Sequence, residues 1–291
     1  MAYVTYAPVN YRHAFHAGNF AEVVKHATLA RVVAHLRDKP AAFRILDTHA
    51  GAGVTDLTGP EASRTGEWRD GVGRLRDASL DGYVRALLAP YLDAVAALNR
   101  GGRLVTYPGS PALVRAWLRP QDRLLACELE PAAASALARR MRGDARVKVM
   151  TIDGWTALSA YLPPNERRGA VLIDPPFEQP GEFTRLAEGL VMAHRKWATG
   201  TYLAWYPIKD RREADGFCRR VARTGIPKIL RAELTIGPDR AATRLAGTGL
   251  LMINPPWTLE ADLAVLLPAL AGVLGRERPG TFRLNRMTTE N

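Results

Sequence analysis

The apolar run Val171-Leu172-Ile173 ends abruptly in Asp174-Pro175-Pro176-Phe177, and the types and spacing of those four residues can do chemistry. Proline disfavours helical geometry in the residue before it and has no amide hydrogen. Asp174 therefore stays extended at a strand tip, and Pro175 offers a carbonyl acceptor without an accompanying donor. Two acceptors beside one aromatic ring suit a planar, amino-bearing ring such as adenine. The carboxylate and the carbonyl take hydrogen bonds from the exocyclic amine while Phe177 stacks on the ring face. An amine held this way can become a nucleophile.

Three other apolar runs end in comparable chemistry. The run at 43–48 leads into Asp47-Thr48-His49-Ala50-Gly51-Ala52-Gly53, where Gly51 and Gly53 let the backbone turn tightly and approach a ligand. A dinucleotide fingerprint would place a third glycine where Asp56 stands, so hydride transfer with a nicotinamide or flavin cofactor is disfavoured. The run at 123–129 delivers Glu128, an acid placed to accept from a ribose diol. The run at 147–152 delivers Asp153-Gly154, a carboxylate suited to the amine of a bound nucleotide's own adenine. Four strands with loop chemistry at their carboxyl ends converge on the crevice where open α/β sheets bind ligands.

The elements that must hold these tips alternate along the chain. Strands are predicted at 43–48, 123–129, 147–152, 170–173, 201–206, 229–236 and 250–253. Helices are predicted at 131–142, 155–162, 183–197, 211–223 and 259–274, the first opened by Pro131. Ahead of the first strand, 21–37 reads as an amphipathic helix lying over the sheet and stopped by Pro40. This pattern predicts an α/β fold with a mainly parallel sheet and helices on both faces. The stretch between the first two strands is too long for one crossover, so 54–110 is expected to be an inserted helical subdomain with a helix near 81–99. Residues 1–53 then form the N-terminal motif, first helix and first strand of the core, and 111–291 its remainder. The polar end after Arg276 is expected to fray.

The 291 residues are 47% hydrophobic and 24% charged, ordinary for a globular chain, but 40 Lys plus Arg against 29 Asp plus Glu give a formal charge of +11. Such a field gathers polyanions, and nucleic acid is the expected partner; a genome rich in arginine codons is the plainer explanation. Cys127 and Cys218 offer neither a disulfide framework nor a zinc spacing, so no metal is expected. No secretory leader pattern opens the chain, and the apolar stretch at 263–274 is too short to cross a bilayer and is broken by Pro268. A cytoplasmic protein without membrane partners is expected.

The ordered set of strand tips is similar to the S-adenosylmethionine-dependent methyltransferase fold, a Rossmann-like sheet, and Asp174 to Phe177 resembles the motif of its amino-directed members. Tyr11 to Asn19, Val24-Lys25-His26, Asp47 to Gly53, Tyr107 to Pro111, Asp174 to Phe177, Trp205-Tyr206-Pro207 and Asn254 to Trp257 together resemble the RlmJ family. Those are bacterial 23S rRNA adenine-N6 methyltransferases, and the resemblance runs from about residue 11 to about 259. It implies that Asp174 is the catalytic carboxylate, aided by Pro175 and Phe177. It places Lys25, His26, His49, Gly51, Gly53, Ser110, Glu128, Asp153 and Gly154 around S-adenosylmethionine, and Tyr11 against the RNA. It further implies a monomer acting on 23S rRNA that is protein-free or in an early assembly state. Phe177 stands where the family often has tyrosine, and several residues precede the family's usual start.

Other readings stay open on the residues alone. A proline-proline tip also serves methyltransferases of DNA adenine or protein amides, and an RNA-binding scaffold with a vestigial pocket is a third class. A helix histidine such as His26 is ordinarily structural, and Ser110 at a turn reads equally as a helix cap. Asn254-Pro255-Pro256-Trp257 repeats the tip motif but is expected to be a turn into the final helix, because the last strand of such a sheet inserts antiparallel. Trp205 and Tyr206 read either as flanks of a substrate base or as core.

Overall fold

The computed structural model describes residues 15–237 and 245–288. The first part comprises α1 (Phe20–Arg37) and β1 (Arg44–Asp47). The long segment before the second core strand holds β2 (Val54–Asp56), α2 (Pro60–Thr65), a wide helical turn at Arg69–Gly73, α3 (Arg74–Asp77), α4 (Gly82–Ala97) and β3 (Thr106–Pro108). Then follow α5 (Ser110–Trp117), β4 (Arg123–Glu128), α6 (Pro131–Met141), β5 (Val147–Thr151), α7 (Gly154–Tyr161), β6 (Gly169–Ile173) and α8 (Glu182–Lys196). The chain closes with β7 (Thr201–Ile208), α9 (Arg211–Ala222), β8 (Ile229–Thr235), β9 (Gly247–Ile253), α10 (Leu259–Leu274) and β10 (Thr281–Arg286).

Eight strands make one sheet in the order β10-β8-β9-β7-β6-β1-β4-β5. The five from β5 to β7 are parallel, with Asp47 in register with Ala126 on one side and Leu172 on the other. Strand β9 runs antiparallel between β7 and β8. This is the Rossmann-like methyltransferase sheet expected from the sequence.

Both faces are covered, which is why the central strands read as unbroken apolar runs rather than alternating ones. Ile45, Leu124 and Leu172 face one core with α1, α4, α5 and α10, whereas Leu46, Leu125 and Val171 face a second core with α7, α8 and α9. Cys127 and Cys218 are buried free thiols.

Two expectations are corrected. Helix α1 is not amphipathic over the sheet: Lys25, His26 and Thr28 are buried with its apolar residues, because α4, α5, α10 and the Arg69–Gly73 turn pack around it. Its polar residues are spread round the helix rather than gathered on one face, and elements on every side make it interior. The inserted segment carries α4 (Gly82–Ala97), the helix expected near 81–99, and its Val72, Leu88 and Tyr91 join the same apolar cluster as α1. The described residues after Arg276 do not fray: β10 pairs antiparallel with β8, and its Arg283 reaches Asp215 at 3.2 Å. An edge strand carrying polar residues on an incompletely covered face shows little alternation, so it went unread.

Candidate active site

The parallel strands all point their carboxyl ends to one edge, and the site forms there. Its floor is the turn after β1. Thr48 donates from both N–H and Oγ1 to the Leu172 carbonyl of β6, at 3.1 and 3.0 Å, and the Ala50 amide donates to the Cys127 carbonyl of β4 at 2.9 Å. Gly51 (φ 59°) and Gly53 (φ 82°) take left-handed backbone, which costs an L side chain energy and glycine little. The Gly51 amide donates to Glu128 Oε2 at 2.8 Å, and the Glu130 amide to Glu128 Oε1 at 2.8 Å. Each Glu128 oxygen retains a second lone pair.

Helix α5 abuts this turn through the Gly109 amide, which donates to the Gly53 carbonyl at 2.9 Å. Ser110 is the first residue of α5, not its cap, and Gly109 takes the capping position. The Ser110 hydroxyl instead donates to Asp47 Oδ2 at 2.6 Å. Asp47 is fully buried, and its Oδ1 has no partner. Burial pushes its carboxyl up to about 7. A buried acceptor without a donor marks a place for a ligand's donor.

Helix α7 closes in from the other side. A Cβ on Gly154 would lie 2.4 Å from the Thr48 carbonyl oxygen and 2.8 Å from the His49 ring, so only glycine permits this approach. Asp153 caps α7, its Oδ2 accepting from the Thr156 amide at 2.9 Å, while Oδ1 lies 3.6 Å from Arg185. Since the Thr48 hydroxyl donates to Leu172, His49 Nδ1 at 2.7 Å must donate to Thr48 Oγ1, leaving Nε2 as an acceptor. Burial lowers the His49 ring to about 4, so it is neutral at physiological pH.

Asp174 stands at the tip of β6, 7% exposed, across a cleft from this turn. Its Oδ2 accepts from Lys25 Nζ of α1, and its Oδ1 accepts nothing from the described residues. Burial alone would lower the Lys25 ammonium, but Asp174, Glu22 and Asp47 outweigh it and hold the ammonium above its ordinary range. Lys25, which the resemblance assigns to the cofactor, is thus brought to Asp174. His26, the next residue, does not reach the cleft. It lies one side chain behind the wall, with Nδ1 2.8 Å from the Tyr107 hydroxyl, which is itself 2.9 Å from the Tyr91 hydroxyl. Burial, then the Lys25 charge, lowers His26 well below its usual value.

Pro175 is buried, and Phe177 beyond it adopts φ 51°, uncommon for a bulky residue and associated with functional loops. The Phe177 ring meets Phe183 and Trp205 edge-on, with centroids 4.9 and 5.7 Å apart. Trp205 is half-buried against this tip, whereas Tyr206, its neighbour on the opposite face of β7, is core and donates to Glu233 at 2.8 Å. Asn254 follows antiparallel β9 and so opens at the other edge of the sheet, where Trp257 is exposed. Tyr11 lies outside the described residues. Arg168 and Arg211, each beside another arginine in the sequence, serve the fold through the Ala41 carbonyl and Glu233.

Sequence reasoning passed over Glu22 and Tyr107, which face the cleft, and Asp47, which lies buried behind Ser110 of its wall. Asp47 ends the first strand, a signal available in the sequence. Glu22 stands three residues after Asn19, the spacing of a capping box, and Asn19 Oδ1 does accept from the Glu22 amide at 3.0 Å.

Residues 40–288 match the family model described as ribosomal RNA large subunit methyltransferase D, RlmJ. The ribosomal RNA large subunit methyltransferase J of Haemophilus influenzae is 38% identical over 283 residues, covering 97% of this chain and 100% of its own. Its counterpart of the same name in Escherichia coli is 39% identical over 262 residues, 90% and 92% of the two chains. A crystal structure of a Legionella pneumophila protein superposes with a TM-score of 0.85 at 32% identity, covering 93% of this chain and 98% of that one.

Proposed function

We propose, on the premise that this chain belongs to the RlmJ family of ribosomal RNA large subunit methyltransferases, that it methylates the N6 amine of one adenine in 23S rRNA using S-adenosylmethionine. The observation that carries this reading is one cleft lined both by Asp174 at the tip of β6 and by Gly51 and Gly53 after β1.

The residues fit the cofactor. Asp47 Oδ1, buried and without a partner, can accept from its ammonium, and the left-handed glycines bring backbone close enough to cradle it. Glu128 has lone pairs left for a ribose diol, and Asp153 offers an oxygen toward the cofactor's adenine. Bound there, S-adenosylmethionine supplies an electrophilic methyl group on a sulfonium.

An exocyclic adenine amine is a poor nucleophile because its lone pair is shared with the ring. Asp174 Oδ1 and the Pro175 carbonyl can each accept one N6 hydrogen, which favours a pyramidal nitrogen whose lone pair is free. Lys25 on Oδ2 limits the rotations of the carboxylate, and Phe177 can hold the base by its face. Positioning and fixed dipoles supply most of the gain in such a site. The target base must leave its stack to enter, which costs least in an unpaired loop.

The charge of +11 supports an RNA partner, for which protein-free 23S rRNA and a monomeric enzyme are proposed. Among the described residues no helix is long and apolar enough to cross a membrane, and the cytoplasm is the proposed location. Tritiated cofactor presented with 23S rRNA, duplex DNA and protein tests the reading. Label is expected in rRNA, recovered as N6-methyladenosine. Label in DNA or protein alone, or on another base, would refute it.

A further inference from the structure

Two carboxylates, Glu22 and Asp174, share one buried ammonium, Lys25, in the wall of the cleft, and Asp47 adds a weaker attraction. Asp47 is already engaged by Ser110. Lys25 is a long side chain with considerable rotamer freedom. Something must hold its Nζ on Asp174. Glu22, one turn back on α1, places Oε1 3.5 Å from Nζ, and its side chain is only 16% exposed.

Glu22 is itself held. Its Oε2 accepts from the Gly18 amide at 2.8 Å, and the Gly18 carbonyl accepts from the Val72 amide at 2.8 Å. That second bond comes from the wide turn Arg69–Gly73 of the inserted segment, inside which Gly71 departs from helical geometry (φ −101°, ψ −108°). The two backbones touch. A Cβ on Gly71 would stand 2.1 Å from the Gly18 oxygen, and one on Gly18, whose φ is 67°, would stand 2.8 Å from Val72 Cγ1. The Arg69–Gly73 turn is a kink between two helical pieces rather than a continuous helix. Here it braces the residue before the Asn19 cap of α1.

We propose that Glu22 is a positioning residue: fixed by the Gly18 amide, and through Gly18 by the Arg69–Gly73 turn, it seats the Lys25 ammonium on Asp174. The insertion then contributes to catalysis without touching substrate. Asp174 keeps Oδ2 on Lys25 and presents Oδ1 to the incoming amine. This inference rests on the methyltransferase reading above and adds to it a residue and a route from the insertion to the active carboxylate.

The test compares full-length wild type, Glu22→Gln, Gly71→Ala and the double variant for steady-state methylation of 23S rRNA and thermal stability. Glutamine still accepts from Gly18 but no longer attracts Lys25. Glu22→Gln should therefore lower kcat about tenfold while leaving KM for RNA within about twofold and the melting temperature close to wild type. Gly71→Ala should lower kcat in the same direction, and the double variant should be no worse than the poorer single one, because both act on one contact. A Glu22→Gln enzyme with wild-type kcat, or losses that multiply in the double variant, would overturn the inference while leaving the methyltransferase reading intact. Should Gly71→Ala fail to fold, the kcat against KM split of Glu22→Gln decides by itself. A wild type that labels no rRNA would sink both.

Discussion

Replacing Asp174 by asparagine keeps the volume of the side chain and removes its charge, and two separable losses follow from the structure. The first is in stability. Asp174 and Lys25 form a buried pair, with side chains 9% and 5% exposed, so solvent screens it little. Removing one partner of such a pair costs about 3–5 kcal/mol. Glu22, 3.5 Å from Nζ, remains to offset part of the stranded charge, which lowers the expected cost to about 2–3 kcal/mol. For a chain of this size that is a fall in melting temperature of roughly 3–5 °C, short of unfolding at assay temperature. The second loss is kinetic. An amide that accepts from Lys25 through its oxygen turns its NH2 toward the N6 amine, donor against donor. Losing one fixed electrostatic partner of a reacting group costs about 10²–10³ in kcat. Single-turnover transfer of tritiated methyl to 23S rRNA measures this, with calorimetry to confirm that S-adenosylmethionine still binds. Turnover within about tenfold of wild type would refute the role given to Asp174.

Two further outcomes are expected. Burial holds the Asp47 carboxyl near 7 when folded, whereas the unfolded chain ionises near 3.8, so Asp47 weakens the fold progressively from about pH 4 to pH 7 and fully above it. Asp47→Asn should therefore melt higher than wild type at pH 8, by on the order of 3 kcal/mol, and with little difference at pH 4, while binding cofactor less tightly. An equal gain at both pH values would contradict the burial argument. Phe177→Ala should raise KM for RNA by about 5- to 100-fold, the worth of stacking one base, with a smaller change in kcat; an unchanged KM would show that the ring only packs against Phe183 and Trp205.

The strands and helices of the core were legible because their signals are local. Val171 to Ile173 is apolar on both faces of the sheet, and Leu259–Leu274 repeats apolar residues at helical spacing between identifiable ends. The glycine turn and the Asp174-Pro175 tip were legible for the same reason, since φ preferences and a missing amide belong to the residues themselves. Strand β10 was not legible: Thr281 to Arg286 becomes a strand only because β8 leaves an edge to pair. Nor was the interior place of α1, which depends on helices as distant in the chain as α10 (Leu259–Leu274).

The sequence alone determined which side chains end the parallel strands and, from the order of those strands, that they face one edge. Tertiary structure alone decided their partners. Lys25 meets Asp174 across 149 residues, His26 turns away behind Tyr107, Ser110 binds Asp47 rather than capping its helix, and Glu22 enters the site at all. Local backbone preference acts between neighbours in the chain, whereas the seat of a buried charge depends on which carboxylates the whole fold leaves within a few ångströms of it.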